Sequence, residues 1–405
     1  MKVKTFSKDF FFTVGATVVM NAVQHLFVFP WINKVSGPEV TGRILACLSI
    51  VYIFSHTFGI GMNNIRLVED RKNNGTNGDY LCIMGIGSIF LIIVAFLAKK
   101  YGFDPQVDLW WFAVLLILNM IRCYGEFDFR KTLQFSQFFI YFVLISIGFC
   151  IGVLIYRKTG NWTHIFILGE CLAVIILLYR KVVFAPALPS NKLFYLIRAI
   201  VLLALSTMMV QLVVSGDRLI LKYFIGDRSV TVYSSLSLAA KTANMVIFPL
   251  GTLLLSYLTA KTIPATKKWF YKVSAGWIGF CLCALVGTLI VAPIYVKLFY
   301  SNLYDDIAGL NVIVNFGLAL AMVGFLFRIY LIALSNATVV FLFELVFAII
   351  HLAAAVLLTK QYGMVGYAWA VIIGRGSRMI AGAILSLIYV NKAEKKLAQE
   401  TTTAG

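Results

Sequence analysis

Long apolar stretches separated by short polar interruptions repeat along the whole chain, each long enough for a helix that crosses a bilayer. The spacing predicts spans over residues 10–31, 44–65, 80–98, 107–127, 133–156, 162–180, 195–216, 229–258, 273–296, 307–334, 338–359 and 364–390. The fourth is the weakest, because its uncharged core runs only from Leu109 to Ile121 and its flank carries Arg122, Glu126 and Asp128. The apolar run from Ile307 to Thr359 would measure about 80 Å as a single helix, far beyond one crossing, so it is expected to fold back at Ser335-Asn336-Ala337.

The fold class predicted is all-α: a polytopic membrane protein with twelve transmembrane helices in two six-helix bundles around a central cavity. The basic loop around Lys181 to Lys192 divides residues 1–190 from residues 191–405, the second bundle ending in a short cytoplasmic tail. A short internal echo fits this division. Gly37-Pro-Glu-Val40-Thr41 follows the first span and Gly226-Asp-Arg-Ser-Val230-Thr231 follows the seventh, each a glycine turn leading through Val-Thr into a long helix.

Composition agrees with the pattern: 61% of the 405 residues are apolar and 13% charged, and the mean hydropathy is +0.90. No soluble domain of useful size remains. The first apolar run, Phe10 to Trp31, exceeds a signal-peptide core and has no small-x-small cleavage pattern after it, so it is expected to stay as the first span. With the N-terminus inside, most of the Lys and Arg outside the spans fall on the cytoplasmic side, which places both termini there. The formal charge of +18 follows from that bias and from attraction to the head groups of membrane lipids; nucleic acid is not implied.

No enzyme signature emerges. His25, His56, His164 and His351 are scattered without metal-ligand spacing, the seven cysteines lack paired zinc spacings, and no nucleophile elbow or phosphate loop is present. No cofactor or metal is expected. Pro249 and Pro293 interrupt the eighth and ninth spans, where a missing backbone donor can kink a helix.

The informative residues are cations inside predicted spans: Lys241, Arg328, Arg375 and Arg378. An Arg or Lys at mid-helix costs on the order of 3 kcal/mol on the translocon scale, so such groups face partners or a polar cavity rather than lipid. Lys241 lies near the middle of the eighth span; Arg375 and Arg378 share a face of the twelfth, flanked by Gly374 and Gly376; Arg328 is nearer an end of the tenth, where snorkelling is the plain alternative. Two readings stand. The cations pair with Asp217, Glu344 or backbone carbonyls and lock helices together, or they form an electropositive cavity for an anionic group, with phosphate or diphosphate the natural candidate. Acidic residues in the spans are fewer: Glu170, Glu344 and Asp217, as ion-pair partners or coupling-ion sites. Glu344 and His351 lie close to two turns apart, and Asn21 and His25 share a face of the first span, lining the same cavity or bonding across helices.

Three stretches carry a resemblance to the polysaccharide flippases, the oligosaccharide-lipid translocases of the superfamily that also holds multidrug and toxin extruders and lipid II flippases. Phe27 to Arg66, FVFPWINKVSGPEVTGRILACLSIVYIFSHTFGIGMNNIR, is similar to the family's first hairpin. Gly216 to Gly251, with Asp217-Arg218, Tyr233 and Pro249, resembles its seventh-to-eighth-span region, and KQYGMVGYAWAVIIGR, Lys360 to Arg375, resembles the turn and glycine-rich start of the last span. Tyr367 departs from the pattern, since many relatives have a small residue there.

The resemblance implies translocation of undecaprenyl-diphosphate-linked oligosaccharide repeat units from the cytoplasmic to the outer leaflet of a bacterial inner membrane, for capsule, O-antigen or related polymers, by alternating access. In that reading Lys241, Arg375 and Arg378 neutralise the diphosphate, Arg328 and Arg66 receive it at the cytoplasmic mouth, Asn21 and His25 line the cavity, and Asp217, Arg218 and Glu344 serve as gate or ion-coupling groups. Coupling to H+ or Na+ and cooperation with a polysaccharide polymerase and chain-length machinery belong to the same expectation. Two alternatives stay open: a cation-coupled small-molecule antiporter of the multidrug type, and an integral membrane polymerase or acyltransferase.

Overall fold

Gly37 and Gly363 lie in two of the predicted connections, between residues 31 and 44 and between residues 359 and 364. Gly37 takes φ 86° and ψ 169° and Gly363 takes φ 60° and ψ −140°, conformations open to glycine and strained for any residue with a Cβ. In the computed structural model, which describes residues 3–69, 75–181, 183–259, 264 and 266–403, each breaks an otherwise unbroken helical run into two.

The helices are then α1 (3–36), α2 (38–69), α3 (Asn77–Lys100), α4 (Leu109–Lys131), α5 (Phe135–Thr159), α6 (Thr163–Arg180), α7 (Leu193–Phe224), α8 (Asp227–Thr259), α9 (Lys267–Phe299), α10 (Leu310–Leu334), α11 (337–362) and α12 (364–403). Each of the twelve predicted spans corresponds to one of them, and no strand occurs among the described residues. The reversal expected at Ser335-Asn336-Ala337 is present: α10 ends at Leu334, Ser335 is extended, and the Asn336 Oδ1 accepts from the Val339 N–H at 2.9 Å to cap α11. Among the described residues, eight helical runs are long and apolar enough to cross a membrane, and two of these, Phe11–Glu69 and Thr338–Lys395, contain the glycine breaks. The more polar α4 and α8 are not among them. Pro293 lies inside α9, which continues through it.

The chain divides into two compact units, Met1–Leu219 and Ile220–Gly405, the division falling inside α7. In the first unit α5 packs on α6 and on α1, and α4 packs on α2, α3 and α6. Two short π-helical segments interrupt its helices, Val23–Val28 in α1 and Val51–His56 in α2. Such segments are rare in helices and occur often at functional sites. Here they bring Gln24 and Tyr52 together, the Tyr52 hydroxyl donating to Gln24 Oε1 at 3.5 Å.

The basic loop that follows α6 is pinned to the start of α3. Thr76 and Asp79 form a reciprocal cap, and Asp79 also accepts from the Ser190 N–H at 2.6 Å and from the Ser190 hydroxyl at 2.7 Å. The Thr76 hydroxyl donates to Leu188 O at 2.6 Å, and the Asn77 amide donates to Val183 O at 3.1 Å.

In the second unit α10 is the central helix, packed on α8, on α9 and on the α11–α12 pair. One end of this unit is an apolar cluster of Leu258, Phe270, Leu326, Phe327, Tyr330 and Val390. Two polar tethers hold neighbouring helices to α10: Trp277 Nε1 donates to Met322 O at 3.0 Å, and the Ser386 hydroxyl donates to Phe327 O at 2.9 Å. Tyr367, the departure from the flippase pattern, is buried and meets Tyr233 edge-to-face at 5.1 Å, so the larger side chain fills the α8–α12 contact.

Candidate functional site

Three successive helices of the second unit converge on one carboxylate. Arg378 Nη2 of α12 donates to Glu344 Oε1 of α11 at 2.7 Å, and Arg328 Nε of α10 forms an ion pair with the same oxygen at 2.8 Å. The side chains are neither sealed nor free in solvent: Arg328 is 34% exposed, Glu344 26% and Arg378 23%. Pairing with Glu344, one of the partners considered from sequence, is therefore what the structure shows for these two cations. The pairing is incomplete in charge, since one carboxylate serves two guanidiniums.

Arg375 lies one turn before Arg378 on α12 and is half-buried, as is Lys241 on α8. Both belong to the second unit with the Arg328–Glu344–Arg378 cluster. His351, two turns beyond Glu344 on α11, is 3% exposed and packs against α12 where a glycine leaves room. A Cβ built on Gly374 would lie 2.6 Å from His351 Nδ1 and 3.0 Å from its Cα. That close approach brings α11 and α12 together beside Arg375 and Arg378.

The remaining candidates belong to the first unit. Asn21 donates to the Thr17 carbonyl of its own helix at 2.8 Å, and the ring of His25, inside the π segment, meets that of Phe29 at a tilt of 54°, 5.2 Å between centres. Arg66 is 8% exposed, with its guanidinium 4.4 Å from the Tyr80 ring centre and 5.2 Å from that of Phe127, an aromatic enclosure extended by the stacked Tyr80–Tyr124 pair. Asp217 and Arg218 near the end of α7 are 4% and 9% exposed; Asp217 Oδ1 accepts from the Arg218 N–H at 2.8 Å, and Arg218 Nη1 donates to Leu45 O at 3.5 Å.

A second charged constellation lies on α4 and α6; of its members only Glu170, as an ion-pair partner or coupling-ion site, is among the candidates that the sequence suggests. Arg122 pairs with Glu170 at 2.8 Å, without the alignment of a hydrogen bond, and donates to Glu126 at 3.1 Å; Arg130 donates to the other oxygen of Glu126 at 3.0 Å. Asn119 donates to Glu170 at 2.8 Å, and the Ser55 hydroxyl reaches Asn119 Oδ1 at 3.3 Å. Arg122, Glu126 and Glu170 are 3%, 8% and 5% exposed, so the charged flank of the fourth span is buried helix rather than a solvated end. The i, i+4 spacing of Arg122, Glu126 and Arg130 is the available signal on α4; Glu170, an ion-pair candidate by its depth in the sixth span, has no local pattern that names its partner. Beside this network is a cavity of about 20 Å³, lined among others by Gln24, Tyr52, Asn119, Arg122 and Glu170, with room for about one water molecule. Both π segments thus face it.

The two constellations differ in charge balance. In the first unit two arginines meet two glutamates, whereas in the second unit two arginines share one. Among the described residues no cluster of His, Cys, Asp and Glu suited to a metal ion occurs.

The chain's fold is found in solved membrane transporters. A multidrug resistance MATE family transporter of the MOP superfamily, in an inward-facing conformation, superposes with a TM-score of 0.74 at 14% identity, over 93% of this chain and 95% of that one. Lipid II flippase MurJ in an inward closed conformation gives 0.71 at 13% identity, over 95% and 87%, and an outward-facing MATE transporter gives 0.65 at 14% identity, over 96% of each. No protein-family model matches the sequence, and a search of the curated proteins gave no match. The likeness is one of fold: this all-helical chain has the twelve-helix arrangement of multidrug and lipid-flipping transporters.

Proposed function

We propose that the protein is a flippase that carries undecaprenyl-diphosphate-linked oligosaccharide repeat units from the cytoplasmic to the outer leaflet for surface polysaccharide synthesis. The observation that carries this reading is the excess of positive charge at the Arg328–Glu344–Arg378 cluster, with Arg375 one turn away on α12. A net-positive site within membrane-spanning helices favours an anion and repels an organic cation, and guanidiniums are suited to bidentate contacts with phosphate oxygens. The fold likeness fits a lipid flippase and a multidrug transporter alike; the charge at this cluster favours the first.

In this proposal Arg328, Arg375, Arg378 and Lys241 hold the diphosphate while the polyprenyl chain stays in lipid, and the site is exposed to the two leaflets in turn. Arg66, Asn21 and His25 remain candidate sugar or head-group contacts, and Asp217 with Arg218 a candidate gate. The host membrane is the bacterial inner membrane with both termini cytoplasmic, and polymer-assembling enzymes are the expected partners. An inside-negative potential contributes about 2.3 kcal/mol per charge per 100 mV and favours outward movement of an anion, so a potential alone can drive the step; H+ or Na+ coupling is the rival drive.

The test is reconstitution of the full chain into liposomes loaded with fluorescent lipid-linked oligosaccharide, comparing wild type with Lys241→Ala and Arg378→Ala. Leaflet exchange by the wild type, lost in both variants, supports the proposal. Failure to move the lipid-linked sugar while organic cations are exported would instead support the multidrug reading.

A further inference from the structure

A half-exposed pair of arginines inside membrane-spanning helices needs an anion at all times, including when no substrate is bound. Each unpaired guanidinium at bilayer depth would cost on the order of 3 kcal/mol on the translocon scale. Glu344 meets that need in an unusual way. The shortest contact of each cation falls on one oxygen, Oε1, and Oε2 takes no hydrogen bond from a described residue. The shortest approach of each arginine to the carboxylate is from one nitrogen, Nε for Arg328 and Nη2 for Arg378, and only the Arg378 contact has hydrogen-bond geometry, although a guanidinium carries five N–H donors. The Nε of Arg378 is buried and has no acceptor among the described residues. The Arg378 fork is therefore only partly used, and all three side chains keep between 23% and 34% of their surface uncovered.

The buried network of the first unit shows what a permanent lock looks like in the same chain. There both oxygens of Glu126 accept hydrogen bonds, Glu170 accepts one from Asn119 and meets Arg122 in an ion pair without hydrogen-bond alignment, two arginines face two glutamates, and Arg122, Glu126 and Glu170, though not Arg130, are each at most 8% exposed.

From this contrast we infer that Glu344 is a resident counter-ion that a diphosphate displaces from Arg328 and Arg378, so that the strength of its two contacts sets how tightly the substrate is held. The inference rests on the flippase reading above and assigns regulation within that same site. The exchange is purely ionic: phosphate oxygens replace Oε1 in front of the two guanidiniums, take up donors that the carboxylate leaves unused, and release Glu344 as a free carboxylate. On departure of the substrate the carboxylate returns, and the cations are never bare. Affinity is then a difference between two anions competing for the same donors, which keeps the substrate releasable. A site of the same arginines without the glutamate would bind more tightly and let go more slowly.

The experiment is equilibrium binding of farnesyl diphosphate to the full-length protein in neutral detergent, for wild type, Glu344→Gln, Arg378→Ala and Asp306→Asn. Asp306 pairs with Arg228 at 2.7 Å on an exposed part of the same unit, so its variant removes one negative charge away from the cluster. The expected result is binding by wild type, loss of binding in Arg378→Ala, tightening of about three- to tenfold in Glu344→Gln and no change in Asp306→Asn. Unchanged or weaker binding in Glu344→Gln, with Arg378→Ala still defective, overturns the counter-ion role and leaves the flippase reading standing. Equal tightening in Asp306→Asn overturns it as well, since the effect would then be one of overall charge. Absence of diphosphate binding in wild type and Glu344→Gln alike removes both. If Glu344→Gln does not melt like wild type, Glu344→Asp, which keeps the charge but draws it back by one methylene, is used in its place. It is expected to bind more tightly than wild type by a smaller factor, and unchanged or weaker binding overturns the role.

Discussion

Arg378 on α12 donates from Nη2 to Oε1 of Glu344 on α11 at 2.7 Å, and this one contact joins two helices separated only by the break at Gly363. Its partner Arg328 approaches the same oxygen from α10, so removing either arginine leaves the other with the carboxylate and lowers the local charge by one. Arg378→Ala and Arg328→Ala are each expected to reduce leaflet exchange of lipid-linked oligosaccharide by at least about tenfold with little change in melting temperature, because a part-exposed pair adds only about 0–1 kcal/mol to stability. Arg378→Lys is expected to recover part of the rate, since an ammonium keeps the charge but lacks the planar fork. Initial rates in proteoliposomes decide the point; full activity in Arg378→Ala would remove this residue from the site.

The Arg122 network makes the opposite demand. Arg122→Leu or Glu170→Leu strands a buried charge, a change of about 3–5 kcal/mol, and is expected to abolish a cooperative melt or lower its midpoint sharply. The double variant is expected to recover much of the loss, because two apolar side chains leave less uncompensated charge than one stranded partner. Thermal denaturation of the four proteins in one detergent closes the cycle.

Asp79 is the hub of the loop clamp, accepting from Ser190 and capping with Thr76. Asp79→Ala is expected to cost about 1–3 kcal/mol and to open the loop to trypsin at Lys181 and Lys192. Limited proteolysis with fragment sizing reads this directly, and a cleavage rate equal to wild type would show the clamp to be dispensable.

Gly374 has no room for a side chain. Gly374→Ala would place a methyl 2.6 Å from His351 Nδ1 and 3.0 Å from its backbone Cα, an overpacking cost of about 1–3 kcal/mol. The variant is expected to melt lower and to transport poorly, since the shift it forces between α11 and α12 reaches Glu344 and Arg378. Gly276→Ala on α9, where a Cβ meets nothing within 4 Å, is the expected neutral control.

Much of this architecture is legible from periodicity and turn chemistry alone. The length argument places a reversal within Ile307–Thr359, and Ser335-Asn336 provides it; the Gly37-Pro pair marks the α1–α2 break; the glycine near Lys360 marks the start of α12. Where residues meet across distant helices, the sequence is silent. Arg122 and Glu170 lie on α4 and α6 with α5 between them, and no local pattern announces their contact, so the polar flank of the fourth span reads as a membrane edge instead of a buried lock. Arg328 and Arg378 illustrate a middle case. Their depth in the spans signals that something must offset them, and Glu344 is one of few acids available, but only coordinates show that both make their closest approach to the same oxygen of it.

The lock in the first unit also governs how the chain can be made. As α4 leaves the ribosome it carries Arg122 and Glu126, one turn apart and able to offset each other, but the remaining partner, Glu170, is encoded well downstream on α6. Until that residue is synthesised, the fourth segment has an arginine with only half of its eventual company and a marginal claim on the hydrocarbon. Biogenesis of this half is therefore expected to be ordered: the fourth segment should still crosslink to the insertion machinery in a nascent chain whose emerged length ends at residue 159, and should no longer do so once residues 163–180 have emerged.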